Sequence, residues 1–267
     1  MLKQRIITAA ILIPITLLII FFLPNLPFAI LTGVLMLFGA LEWANLMGLK
    51  RASHRAFYLA IVVLVSFAAL FIPVLYLLIL SFIWWLCALM LIVLYPRGSN
   101  RWGAGSFLPG VMGLLVLIPC WGSVNFIRNQ FEGAYILLYV FVLIWGADSV
   151  AYFVGKKLGK TKLAPRVSPG KSLQGFIGAT IFAILFAIVS AWVCDVPVAM
   201  WPNGVCLSLL TVWFSVVGDL TESMMKRHAG VKDSGTLLPG HGGLLDRIDS
   251  LTAAGPVFAL GALLIGA

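Results

Sequence analysis

The residues from Asp219 to Asp249 read DLTESMMKRHAGVKDSGTLLPGHGGLLDRID, and they gather chemistry that the rest of the chain lacks. Five of the nine acidic residues, four of the 18 basic residues and two of the three histidines fall in these 31 positions. On a helix, Asp219, Glu222, Ser223 and Lys226 share one face, because they stand at i, i+3, i+4 and i+7. Asp246 and Asp249 are three apart with Arg247 between them, so a helix beginning near Leu244 turns both acids to one side. Hard carboxylate oxygens from two such helices suit Mg²⁺, which binds protein through one or two carboxylates and keeps its remaining positions for water and phosphate. Asp219, Asp246 and Asp249 are the candidate ligands. An ion-pair network with Lys226, Arg227 and Arg247 accounts for the same spacing equally well. Between the two helices, LLPGHGG is a flexible turn. Its glycines free the backbone N–H groups to meet phosphate oxygens, with His241 as a further ligand contact.

A second polar stretch, GKKLGKTKLAPRVSPGKSLQG, carries six basic residues and no acid. Gly155 and Gly159-Lys160-Thr161 enclose one residue too few for a phosphate-binding P-loop, and no strand is expected before them. SPGKS reads as a Pro/Gly turn that presents Lys171 and Ser172 at a helix N-terminus, a place that favours an anion. Asp148 precedes this stretch by a few turns, near the end of an apolar run, and an ionised acid there needs a partner or water. These residues together imply a metal-assisted reaction on phosphates at a membrane surface.

The elements that must position them are membrane helices. The 267-residue chain is 62% hydrophobic and only 10% charged, with a mean hydropathy of +1.09. Soluble domains average about 25% charged residues. Apolar runs predict an all-α, polytopic protein with about nine transmembrane helices, at 6–23, 27–48, 57–72, 74–95, 107–127, 134–155, 173–193, 204–225 and 250–267. With the N-terminus inside, 17 of the 18 Lys and Arg residues fall on the inner side and only Arg128 on the outer. That asymmetry puts the N-terminus and both polar loops in the cytoplasm. The whole chain reads as a single membrane domain, with supporting helices over 1–133 and catalytic helices and loops over 134–267. The net charge of +9 resides in short loops, so no nucleic-acid partner is expected. The four cysteines form no CxxC or Cys/His pattern, so no zinc site is expected, although Cys194 and Cys206 flank one loop closely enough for a disulfide to be conceivable. Glu42, at the end of the second apolar run, can be read as a capping group between helices or as a functional acid.

The unbroken stretch SMMKRHAGVKDSGTLLPGHGGLLDRID, from Ser223 to Asp249, resembles the signature of the CDP-diacylglycerol synthases, the phosphatidate cytidylyltransferases. VWFSVVGDLTES, WGADSVAYFVGKKLGK and LAPRVSPGKSLQGFIG are also similar to segments of that family. The resemblance implies transfer of a cytidylyl group from CTP to phosphatidate, with Mg²⁺, in phospholipid biosynthesis at the cell membrane. It implies that Asp219, Asp246 and Asp249 hold the cation or cations, and that Lys226, Arg227, Lys232 and Arg247 neutralise phosphates. Ser223, Asp233 and His241 would contact substrate, as would Asp148, Lys171 and Ser172. A homodimer is a further implication. The rival expectations are a CTP-dependent polyprenol or phytol kinase and an anion transporter.

Overall fold

The computed structural model describes residues 2–103, 105–237 and 242–266, without the side chains of residues 2–9, 100 and 101. The helices are α1 (Leu2–Phe22), α2 (Asn25–Leu46), α3 (Ala52–Ala69), α4 (Val74–Leu94), the short α5 (Ser99–Trp102), α6 (Phe107–Arg128), α7 (Gly133–Leu158), α8 (Leu173–Val193), α9 (Trp201–His228) and α10 (Leu245–Ile265). Among the described residues, eight helices are long and apolar enough to cross a membrane, and α1 adds the apolar stretch Ala10–Phe22. The expected all-α, multi-pass membrane architecture is what the chain adopts. The third and fourth runs, divided by Pro73, are separate helices.

Two ends can be told apart by contacts. At one end Arg128 donates to Ile20 O (2.8 Å) and Leu23 O (3.2 Å). At the other, the end of α9 meets a β-hairpin and α5: Arg227 Nε donates to Val167 O (3.3 Å), and the His228 ring packs at a tilt against Trp102 with centroids 4.9 Å apart. At 1.5 Å per residue, the 28 residues of α9 run about 42 Å, longer than a ~30 Å hydrocarbon core. The helix is therefore long enough to extend beyond the hydrocarbon, and its last turn bears Lys226 and Arg227.

Helix α10 is the hub, packed against α9, α6, α4, α7 and α2. One core cluster joins Trp43 of α2, Trp85 of α4, Leu117 of α6, Met224 of α9 and Leu245 of α10. Helix α8 sits at the rim and stays apolar on its outer side, with Ile181, Leu185 and Trp192 exposed. An all-round apolar helix exposed in this way is suited to lipid.

One local expectation is corrected. SPGKS is not a turn but strand β2 (Ser168–Ser172), paired antiparallel with β1 (Lys162–Ala164). The turn lies earlier, at Ala164-Pro165-Arg166-Val167, where Val167 N donates to Ala164 O (3.1 Å). Pro165 stands at its second position, where a fixed φ favours reversal. Pro169 is tolerated in β2 because a two-stranded ribbon leaves every strand an open edge. Cys194 and Cys206 are free thiols rather than a disulfide.

Candidate active site

The site is built on the contact between α9 and α10. A Cβ added at Gly218 would collide with the carbonyl oxygen of Asp249 and come within 3.2 Å of Ala253 Cβ. Only glycine lets the two backbones approach this closely, and the approach puts Asp219 beside Asp249 on the seam.

Each acid on that seam has a defined setting. Asp219 Oδ1 accepts from Ser223 Oγ (3.2 Å), one turn along the same helix face. Its Oδ2 pairs with Lys171 Nζ at 2.5 Å, both side chains a quarter exposed. Lys171 arrives from β2, so the hairpin swings a cation over the end of α9. The charges of Asp148 and Asp249 act on the same ammonium. Burial alone would depress the Lys171 pKa, but the Asp219 carboxylate, with Asp148 and Asp249 behind it, holds it above the ordinary lysine value. Asp148 reaches the cluster from α7, where Ser250 Oγ donates to its Oδ2 (3.2 Å). Asp249 Oδ1 accepts the Ser250 backbone N–H (2.8 Å).

A second cage lies one turn further along α9. Lys226 Nζ is 2.6 Å from Asp246 Oδ1 and 3.2 Å from Glu222 Oε1, and all three side chains are at least nine-tenths buried. Neither Glu222 oxygen makes a hydrogen bond of good geometry, so the Lys226 charge is its compensation. Asp246 Oδ2 is engaged by the loop before α10. It accepts from Ser234 N (2.9 Å), Ser234 Oγ (3.0 Å) and Gly243 N (2.8 Å).

The face Asp219, Glu222, Ser223 and Lys226 thus meets Asp246 and Asp249 as the spacing predicts. Ser172 is the N-cap of α8, and its hydroxyl accepts Gly175 N (3.2 Å). Arg227 is exposed and leans on the hairpin. Lys232, Asp233 and Arg247 are exposed around the loop, and among the described residues their side chains form no ion pair. His241 lies outside the described residues. Glu222, Ser234 and Ser250 were not singled out for the site. Glu222 is on the predicted helix face, and Ser250 adjoins Asp249. Ser234 carries no spacing signal.

Among the described residues, no three acidic, histidine or cysteine groups converge tightly enough to chelate an ion unaided. The donor chemistry nevertheless suits a hard cation that takes few protein ligands. Asp219, Asp249 and Asp148 already surround the positive charge of Lys171. Beside α9, a largely apolar cavity of about 680 Å³ lies between α4, the hairpin and α8, with Arg166, Trp213 and Val217 among its lining residues.

The fold and site define a polytopic membrane protein with two lysines caged by carboxylates at one end of its bundle. The Cytidylyltransferase family model matches residues 3–264, and the chain belongs to that family. It is 44% identical over 261 residues to the phosphatidate cytidylyltransferase of Pseudomonas aeruginosa, covering 97% of this chain and 96% of that one. It is 40% identical over 281 residues to that of Haemophilus influenzae, covering 97% and 98%. With that of Bacillus subtilis it shares 48% identity over 128 residues, 46% of each chain.

Proposed function

We propose that this chain, a nucleotidyltransferase, transfers the cytidylyl group of CTP to phosphatidate, giving CDP-diacylglycerol and pyrophosphate in phospholipid biosynthesis. The likeness to phosphatidate cytidylyltransferases over nearly the full length carries this reading. A phosphate oxygen of phosphatidate attacks the α-phosphorus of CTP, a new P–O bond forms, and the bond to the β-phosphate oxygen breaks as pyrophosphate leaves. The nucleophile is already ionised near neutral pH, so no general base is needed. The barrier lies in bringing two polyanions together, and catalysis rests on charge neutralisation and in-line placement.

Lys171 and Lys226 supply fixed positive charge close to the reacting phosphates, and Arg227, Lys232 and Arg247 extend it towards the solvent. Ser223 orients Asp219 and is placed to donate to a phosphate oxygen. His241 and Asp233 are assigned to substrate contact, and Ser172 holds the start of α8 behind Lys171. Asp148 orients Lys171. Asp219, Asp246 and Asp249 are the residues that would hold Mg²⁺, and the ion would supply neutralisation of phosphate charge.

We assign the chain to one membrane domain, with the reacting side chains in 134–267 and the supporting helices in 1–133. The basic asymmetry supports a cytoplasmic N-terminus and cytoplasmic active-site loops in the cell membrane, so CTP arrives from the cytosol. The apolar cavity beside α9 offers room for acyl chains while the head group reaches Asp219.

The test uses purified protein in mixed micelles with cytidine-labelled CTP, phosphatidate and Mg²⁺. Label should enter the lipid phase with one pyrophosphate per product, and both should vanish with EDTA and in Asp219→Ala. Phosphorylation of an added prenol with release of CDP would replace this reading with a kinase. No CTP consumption by folded protein would end the enzyme reading in favour of transport.

A further inference from the structure

Glu42 lies on α2, far in sequence from the caged lysines, yet its buried carboxylate ends at the start of α10, the helix that carries Asp246. Helix α10 begins at Leu245, and its N-cap residue, Leu244, has no side chain able to cap it. The first N–H groups of a helix have no partner within it. Glu42 supplies one from another helix: Oε1 accepts Leu244 N (2.9 Å) and Oε2 accepts Leu245 N (2.8 Å). An anion there also complements the helix dipole.

The same carboxylate is tied to the site acid. Ser234 Oγ lies 3.0 Å from Glu42 Oε2 and 3.0 Å from Asp246 Oδ2. A hydroxyl has one proton, so Ser234 shares it between two carboxylates and couples their positions. The loop makes room for this arrangement. A Cβ at Gly235 would come within 2.5 Å of Glu42 Oε1, and one at Gly243 within 2.5 Å of Oε2. The connected sequence runs Glu42, Ser234, Asp246, Lys226.

We propose that Glu42 is a positioning residue. By capping α10 across the bundle and bridging through Ser234, it fixes Asp246 and therefore the Lys226 ammonium where the transferring phosphate must be met. The assignment rests on the cytidylyl-transfer reading. It predicts that losing the cap costs turnover more than nucleotide binding, because a misplacement of about 1 Å at a reacting centre lowers rate by roughly 100-fold.

Glu42→Gln keeps the shape but sets an amide donor against one of the two backbone N–H donors. Ser234→Ala keeps both Glu42–amide bonds and removes only the bridge. The experiment measures kcat and KM for CTP in wild type, both single variants and the double variant, each corrected for folded fraction by gel filtration in detergent. Amide exchange at Leu244 and Leu245 is followed in the same samples. The expected result is a fall in kcat of about 10- to 100-fold in Glu42→Gln with KM for CTP within about threefold. A smaller fall is expected in Ser234→Ala, with a double variant no worse than Glu42→Gln and faster exchange at Leu244 and Leu245 while α9 stays protected. Unchanged kcat in Glu42→Gln, additive losses, or a fall that tracks folded fraction alone would overturn the proposal. If wild type forms no CDP-diacylglycerol, the reaction reading fails and the exchange arm decides the cap alone, with unchanged protection overturning it.

Discussion

Replacing Lys226 by Met is the sharpest perturbation of the site, because it removes a charge and little volume. In the native protein one ammonium serves two buried carboxylates, Asp246 at 2.6 Å and Glu222 at 3.2 Å. Asp246 retains three loop donors after the change, but Glu222 retains none of good geometry. Breaking a buried pair by deleting one partner costs about 3–5 kcal/mol, since the other charge stays desolvated. That is roughly two to four decades in the unfolding constant. Adding Glu222→Gln removes the stranded charge and should recover about half of the loss, roughly 1.5–2.5 kcal/mol. The assay is reversible unfolding of both variants in mixed lipid–detergent micelles under rising SDS, followed by tryptophan fluorescence. Both should lack cytidylyl transfer, so stability and activity separate in the double variant. A Lys226→Met protein within about 1 kcal/mol of wild type, or no recovery with Glu222→Gln, would refute the argument that this lysine neutralises a buried cage.

Lys171 gives a prediction about pH. Its pKa is raised in the folded state, so the stability it adds is fully present below the ordinary lysine value and is lost as pH rises through the higher folded value. On the alkaline side, the difference in stability between wild type and Lys171→Met should hold to about pH 10 and fall only above about 10.4; a fall beginning below about pH 9 would contradict the pairing with Asp219. Gly218→Ala should push α9 from α10 at the Asp249 carbonyl, destabilising by about 1–3 kcal/mol. Its activity should fall at least about tenfold, and retention of both stability and rate would mean the seam is looser than the contact distances state.

The spans and the helix face carrying Asp219, Glu222, Ser223 and Lys226 were legible in the sequence because both depend on local periodicity. Apolar runs fix helix length, and a 3.6-residue repeat fixes which side chains share a side. The hairpin was not legible. Its strands are three and five residues long, and its register is held by pairs such as Lys162 with Ser172 that leave no apolar alternation to read. Lys171 was singled out for its charge, yet its meeting with Asp219 depends on that unseen hairpin. Glu42 was visible as an acid in apolar sequence but could be read two ways. Its partners, Ser234, Leu244 and Leu245, include two backbone amides, and an amide has no residue identity to detect.

The bond between Glu42 and Leu245 spans 203 of the chain's 267 residues. Translation at about 5–20 residues per second puts roughly 10–40 s between the synthesis of its two ends. Throughout that interval the second helix is in place with a carboxylate whose partners do not yet exist, and water must solvate it at the membrane edge. Helix α10 both delivers Asp246 and Asp249 and, at its start, provides the amides that Glu42 awaits. The pairs Lys171–Asp219 and Lys226–Glu222 lie wholly before α10 in the chain, so what waits for that helix is the other half of each cage, Asp249 and Asp246, together with the cap on Glu42.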